Sequence, residues 1–164
     1  MFMRSIQSLC LIQSILMKTD LSNATFIIPI RIESDDRLRN VVTSIAFLVE
    51  NFDTNIIVKE VDKESVFQTE VLPIFEEILE VDLWKNFHHI FERSEEPLFH
   101  RQRVLNEMIA ECETDIVVNY DCDVILPMKS YELAYNGITD GIYDVVYPYG
   151  SGMYQKQVAA TDDI

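Results

Sequence analysis

Short, nearly unbroken runs of β-forming apolar residues alternate along this chain with longer stretches of helical periodicity, and this alternation restricts the fold most. Thr25-Phe26-Ile27-Ile28-Pro29-Ile30 is the first run, and Pro29 near its end marks the exit into a loop. Ser34-Asp35-Asp36 then offers a helix N-cap with acidic residues in the first turn. Leu38, Val41, Val42, Ile45, Leu48, Val49 and Phe52 follow at spacings of three and four, which predicts an amphipathic helix. Residues 55–61 read as a second strand ending in Asp62. Residues 65–80 have helical character around Phe75, Ile78 and Leu79, with Pro73 expected to interrupt or start the helix. A third strand is expected over 87–91. A helix follows over 98–113, with Val104, Leu105, Met108, Ile109 and Cys112 on its buried side. The clearest strand is 115–120, centred on Ile116-Val117-Val118. It runs directly into Asp121-Cys122-Asp123, and Pro127 breaks the apolar run that follows. A helix over 129–136 and a final strand over 142–147 complete the pattern.

Continuous apolar strands separated by helices imply an α/β fold, a mostly parallel sheet flanked by helices on both faces. In such sheets ligands sit beyond the carboxyl ends of the strands. Asp62 and the Asp121/Asp123 pair both follow strands at that end, which makes a composite pocket plausible on one sheet edge. The chain has neither GxGxxG nor GxxxxGK[ST], so dinucleotide and P-loop readings lose their main support.

At 164 residues the chain is one domain's worth of sequence. Its net charge of −15 argues against a nucleic-acid surface, which needs clustered Lys and Arg. An acidic chain still binds a phosphorylated ligand when a divalent cation lies between the two sets of charge. The three cysteines, Cys10, Cys112 and Cys122, form no CxxC pair, which disfavours a disulfide framework or zinc site and fits a reducing compartment. The stretch 5–17 between Arg4 and Lys18 is too short and too polar to span a bilayer. Ser22-Asn23-Ala24 has the spacing of a signal-peptide cleavage site, but the apolar region before it is weak. An amphipathic N-terminal helix bearing Ile6, Leu9, Ile12, Ile15 and Leu16 is the preferred reading. A cytoplasmic location is expected, with peripheral membrane association open, secretory targeting disfavoured and no transmembrane segment.

Asp121-Cys122-Asp123 carries the chemistry. Carboxylates one residue apart point to opposite sides of a strand, but at a strand end the chain turns and both can approach one ligand. Mg²⁺ and Mn²⁺ prefer carboxylate oxygens and commonly also bind substrate phosphates. With 28 acidic residues, a D-x-D triplet alone is a weak signal, and the hydrophobic strand before it strengthens it.

Three segments in order resemble GT-A glycosyltransferases. Phe26-Ile27-Ile28-Pro29-Ile30-Arg31 looks like the first strand and nucleotide-binding loop. Phe99-His100-Arg101-Gln102-Arg103-Val104-Leu105-Asn106 looks like the helix before the metal motif. Asn119-Tyr120-Asp121-Cys122-Asp123-Val124-Ile125-Leu126-Pro127-Met128 looks like the metal-binding strand end. The last two are close to the β-1,4-galactosyltransferase pattern, and family 2 enzymes share the layout. The resemblance covers about residues 25–150.

It implies a Rossmann-like nucleotide-diphospho-sugar transferase fold, Mn²⁺ or Mg²⁺ as cofactor, a nucleotide-sugar donor (a UDP-sugar above all) and a glycan or other hydroxyl acceptor. Pro29, Ile30 and Arg31 would border the nucleoside. Asp62 would meet the uracil or ribose. Phe99 would flank the nucleotide, and Arg101 would contact it and its phosphates. Asp121 would hold the ribose or metal side, and Asp123 would ligate the metal.

For Arg31 the alternative is a solvated loop residue, for Asp62 a turn cap, and for Arg101 a surface pair with Glu95 or Glu96. Arg103 competes with Arg101 for the pocket. His88 and His89 face opposite ways in a strand and read as structural rather than as a metal pair. The role of His100 is open. Trp84, Tyr147, Tyr149 and Tyr154 are options for an acceptor wall, with core packing the commoner use.

Family members continue into an acceptor-binding half, so the expected layout is a helical extension (1–24), a nucleotide-sugar-binding domain (25–150) and a tail or the start of that half (151–164). The fold is thus expected to be truncated at the C-terminus, and the general base is unassigned. Two further functions fit less of the pattern: a non-catalytic nucleotide-sugar-binding or scaffold module, and a sugar nucleotidyltransferase. The second wants a glycine-rich basic loop after the first strand, and residues 31–36 contain no glycine.

Overall fold

The structure is a computed structural model and describes residues 18–79 and 86–149. It is α/β, with four parallel strands flanked by helices, an arrangement compatible with a Rossmann-like fold. In chain order the elements are β1 (Thr19–Ile30), α1 (Asp35–Asn51), β2 (Phe52–Asp62), a π-wound turn (Phe67–Val71) running into α2 (Leu72–Ile78), β3 (Phe87–Arg93), α3 (Arg101–Ala110), β4 (Ile116–Asn119) and α4 (Met128–Thr139).

The strands lie in the order β3-β2-β1-β4. The chain steps outward from β1 to β2 and β3, then returns through α3 to the opposite side of β1. The strand order therefore reverses between β1 and β4, and such a switch point opens a crevice beyond the strand ends. Phe26 pairs with Ile56 and Val118, and Ile27 with Ile57 and Asn119, which brings the ends of β1 and β4 together.

Alternation along the strands divides the core into two layers. Phe26, Ile28 and Ile30 of β1, with Ile56 and Val58 of β2, face Val41, Ile45 and Leu48 of α1, Phe67 and Phe75 around α2, and Tyr131 of α4. Ile27, Ile57 and Val61 face Val104, Leu105 and Met108 of α3. Each fully buried Phe, Ile or Leu here contributes about 1.5–3 kcal/mol relative to exposure. The sheet is thus apolar on both sides, as its unbroken hydrophobic runs predict.

The caps and breaks have local causes. The Ser34 hydroxyl accepts the Arg37 N–H at 3.3 Å, and Asp35 and Asp36 favour the positive end of α1. Pro73 has no N–H to return to the preceding turn. That turn is wound as π, with the Leu72 N–H reaching the Phe67 carbonyl, and Pro73 sits in the first turn of α2, where its missing donor costs little.

Several expectations need correction. Residues 19–24, expected within a helical extension, form the first half of β1. Leu21 and Ala24 are buried there, and the pairing with β2 shifts register between Asp20 and Thr25. The expected strand over 142–147 does not form. Ile142, Tyr143, Val145 and Tyr147 are exposed, because β-forming composition alone does not supply a pairing partner. The expected helix over 5–17, the tail 151–164, Trp84 and Tyr154 lie outside the described residues. Among the described residues no helix is long and apolar enough to cross a membrane.

Candidate functional site

At the β1/β4 switch point lies a cavity of about 380 Å³ lined by Pro29, Arg31, Glu33, Arg37, Phe99, Arg101, Asp121, Cys122 and Asp123. Three sequence segments supply it: the exit of β1 with the first turn of α1, the entry to α3, and the turn after β4.

The turn is well braced. β4 ends at Asn119, and the Tyr120 N–H still bonds the Ile27 carbonyl at 3.1 Å. The Val124 N–H then closes a turn onto the Asp121 carbonyl at 3.3 Å, so the chain has left the strand before either carboxylate is presented. Beneath the turn, the Tyr120 hydroxyl donates to the Val124 carbonyl at 2.7 Å, and the Tyr131 hydroxyl accepts the Leu126 N–H at 3.1 Å. Both rings pack against Phe26. Burial, with Tyr131 adding to it, pushes the Tyr120 phenol well above its ordinary value, so the hydroxyl stays a donor. Burial also raises the Cys122 thiol, and Arg37 beside it offsets only part of that. Cys122 is therefore a neutral thiol facing inward between two exposed carboxylates.

The arginines differ in how they are held. Arg31 is only 8 % exposed; its Nε donates to the Val61 carbonyl at 2.8 Å and its Nη1 to the Pro97 carbonyl at 3.1 Å. Its guanidinium carbon lies 5.5 Å from the centre of the Phe99 ring. Both bonds go to neutral carbonyls, and among the described residues Arg31 has no carboxylate partner, so a buried positive charge is left without a counter-ion. A nearby anion is what such a group lacks. Arg101 donates through Nη2 to Asn119 Oδ1 at 3.1 Å and to Asp121 Oδ1 at 2.5 Å. Arg37 is exposed on the first turn of α1.

Arg103 does not compete for the cavity. It bonds Glu92 at 2.7 Å and Glu107 at 2.8 Å, and Lys59 bonds the same two carboxylates at 3.2 and 2.5 Å. This lattice ties α3 to β2 and β3, none of its members lines the cavity, and Arg101 is left turned toward Asp121. The alternative pairing of Arg101 with Glu95 or Glu96 is not made.

Six of the residues expected at the site thus converge: Pro29, Arg31, Phe99, Arg101, Asp121 and Asp123. Two do not. Ile30 lies on the opposite face of β1 and is buried against α1, because neighbouring strand residues alternate. Asp62 ends β2 outside the cavity lining, and its carboxylate caps the Lys63 N–H at 2.7 Å. Sequence reading missed Glu33 and Arg37. Their signal was positional: residues leaving the first strand and opening the next helix border the ligand edge of such a sheet. His100 begins α3 without a capping bond and does not line the cavity.

A second groove, of about 370 Å³, runs along β4 and meets the charged cavity at Asp121. Its walls include Tyr135, Val145, Tyr147 and Tyr149.

Among the described residues no three His, Cys, Asp or Glu side chains are grouped closely enough to hold a metal by themselves. The donor set is Asp121 and Asp123, all oxygen. It suits a hard cation of the Mg²⁺ or Mn²⁺ kind that takes one or two carboxylates and completes its shell with water and ligand phosphate. Compared with protein-family models and with curated proteins, the chain gives no match.

Proposed function

We propose that this chain binds a nucleotide-sugar, a UDP-sugar above all, as the donor-binding part of a metal-dependent glycosyltransferase of the GT-A kind. The observation that carries the reading is the meeting of Arg31 and Arg101 with Asp121 and Asp123 at the β1/β4 switch point. Guanidiniums form charge-assisted, forked bonds to phosphate. Carboxylates beside them suit a divalent cation or ribose hydroxyls. Phe99 offers a ring face at the cavity wall. Such a set is matched to a diphosphate carrying a planar base and a sugar.

In this reading Arg31 and Arg101 hold the diphosphate and Phe99 borders the base. Asp121 and Asp123 would hold Mn²⁺ or Mg²⁺. A cation bound there supplies Lewis-acid stabilisation of a departing nucleoside diphosphate. The tyrosine-lined groove meeting the cavity at Asp121 is then where an acceptor hydroxyl approaches.

The test is calorimetric titration of UDP with Mn²⁺ and with EDTA, on wild type and Asp123→Ala. Metal-dependent binding that the variant loses is the expected result. A folded protein that takes up no UDP under either condition sinks the reading. If UDP binds, release or transfer of sugar from a panel of UDP-sugars distinguishes an enzyme from a binding module.

A further inference from the structure

Asp121 is both the expected cation ligand and the ion-pair partner of Arg101, the expected phosphate ligand. We infer that this contact is a latch: in the free protein Arg101 occupies Asp121, so the cation and the diphosphate bind as a coupled pair. The inference rests on the donor-site reading and adds to it a rule for how the site fills.

The latch is visible in the geometry. Arg101 Nη2 sits 2.5 Å from Asp121 Oδ1, and Asn119 Oδ1 steadies the same nitrogen at 3.1 Å. The Tyr120 N–H bond to β1 and the turn after it fix the backbone of Asp121. The Lys59–Glu92–Arg103–Glu107 lattice fixes α3 behind Arg101. Both partners are therefore held in register before any ligand arrives.

The pair engages the groups that two ligands need. A cation approaching alone meets an Asp121 carboxylate already bonded to a positive charge, and few other protein ligands are at hand, since no three-membered group exists among the described residues. An anion approaching alone meets an Arg101 already paired. A phosphate that draws Arg101 to itself releases Asp121, and the released carboxylate is then available beside Asp123. Each ligand removes what obstructs the other, and by linkage the coupling factor is the same in both directions.

The pair is only partly sheltered, with Arg101 41 % and Asp121 62 % exposed. Ion pairs of this exposure are weak, so removing the latch should tighten cation binding by about two- to five-fold.

The experiment measures Mn²⁺ binding without nucleotide, by the loss of the free-ion electron paramagnetic resonance signal, on wild type, Arg101→Gln and Arg37→Gln. Arg37 borders the same cavity with the same charge but does not bond Asp121. Its variant therefore subtracts the general effect of losing a cation. The expected result is tighter Mn²⁺ binding in R101Q than in R37Q. Titrations of UDP with and without Mn²⁺ should show mutual tightening in wild type that shrinks in R101Q. Equal Mn²⁺ affinity in R101Q and R37Q overturns the latch, as does the absence of Mn²⁺ binding in all three proteins. A failure of the donor reading looks different: R101Q still tightens Mn²⁺, but UDP binds none of the proteins.

Discussion

Two charged assemblies stand on neighbouring strands of this sheet, and they are built in opposite ways. On the α1 face, Glu60 of β2 is fully buried. Its carboxylate accepts the Ser65 hydroxyl at 2.5 Å and the Phe67 N–H at 3.1 Å, and His89 Nε2 lies 3.3 Å away without hydrogen-bond alignment. The His89 ring stacks on Phe67 with centroids 4.2 Å apart. Burial raises this carboxyl, but the neighbouring His89 together with the bonds from Ser65 and Phe67 outweighs it and holds it below its ordinary value. At the β1/β4 switch point, by contrast, the carboxylates are exposed and Arg31 is buried with carbonyls as its only described bonds. In the first assembly the Glu60 carboxylate is satisfied internally and serves the fold, anchoring the start of the π-wound turn. The second is left incomplete, and an incomplete charged set at a crevice is what a ligand site requires.

The sharpest way to break the comparison is Glu60→Ala. It strands Ser65, the Phe67 N–H and His89, and should cost about 3–5 kcal/mol in urea unfolding. Below the melting temperature, UDP affinity should be unchanged. A cost under about 1 kcal/mol would place Glu60 among ordinary surface carboxylates. If this variant does not fold, Ser65→Ala removes one of the bonds and should cost about 1 kcal/mol.

Arg31→Met should have the reverse profile. It leaves the Val61 and Pro97 carbonyls without their donor and should cost about 1–2 kcal/mol. UDP affinity should fall at least about tenfold, since a charge-assisted bond of about 1.5–3 kcal/mol is lost. Unchanged affinity would remove Arg31 from the site.

The comparison is also readable in pH. Glu60 titrates lower in the folded chain than its ordinary value of 4.5, so folding favours its ionised form. Its contribution is complete above that ordinary value and is lost as pH falls through the folded one. Acid unfolding followed by circular dichroism should therefore steepen below about pH 4.5, and Glu60→Gln should flatten that limb.

The smallest effect belongs to Arg103→Ala on the α3 face. Arg103 and both of its carboxylate partners are partly exposed, and screening leaves such contacts little net worth. Its melting temperature should match wild type at 0.5 M NaCl, with any deficit confined to low salt.

The sequence made the strands and helices largely legible because both faces of the sheet are covered. Unbroken apolar runs such as Phe26 to Ile28 and Ile56 to Val58 have few other uses. The first half of β1 was hidden because Thr19, Asp20, Ser22 and Asn23 are polar and only Leu21 and Ala24 turn inward. Residues 142–147 misled in the other direction, with a strand's composition and no strand pairing. At the site, Asp121 and Asp123 were legible because they abut a strong strand. Arg101 and Arg103 were not separable, since the lattice that decides between them joins Glu92 on another element and Lys59, far off in sequence. Glu60 gave no signal at all, because a buried glutamate and a surface one are written with the same letter.

Arg31 carries one further consequence. Its guanidinium is fastened to carbonyls at the end of β2 and in the segment before α3. Its rotameric freedom is therefore surrendered when the chain folds, not when a ligand arrives. An anion meeting it has no flexible side chain to immobilise, which spares about 0.5–1.5 kcal/mol of ordering entropy that a free surface arginine would lose on binding. The preparation is done during folding by two backbone carbonyls, of Val61 and Pro97, that lie outside the cavity lining.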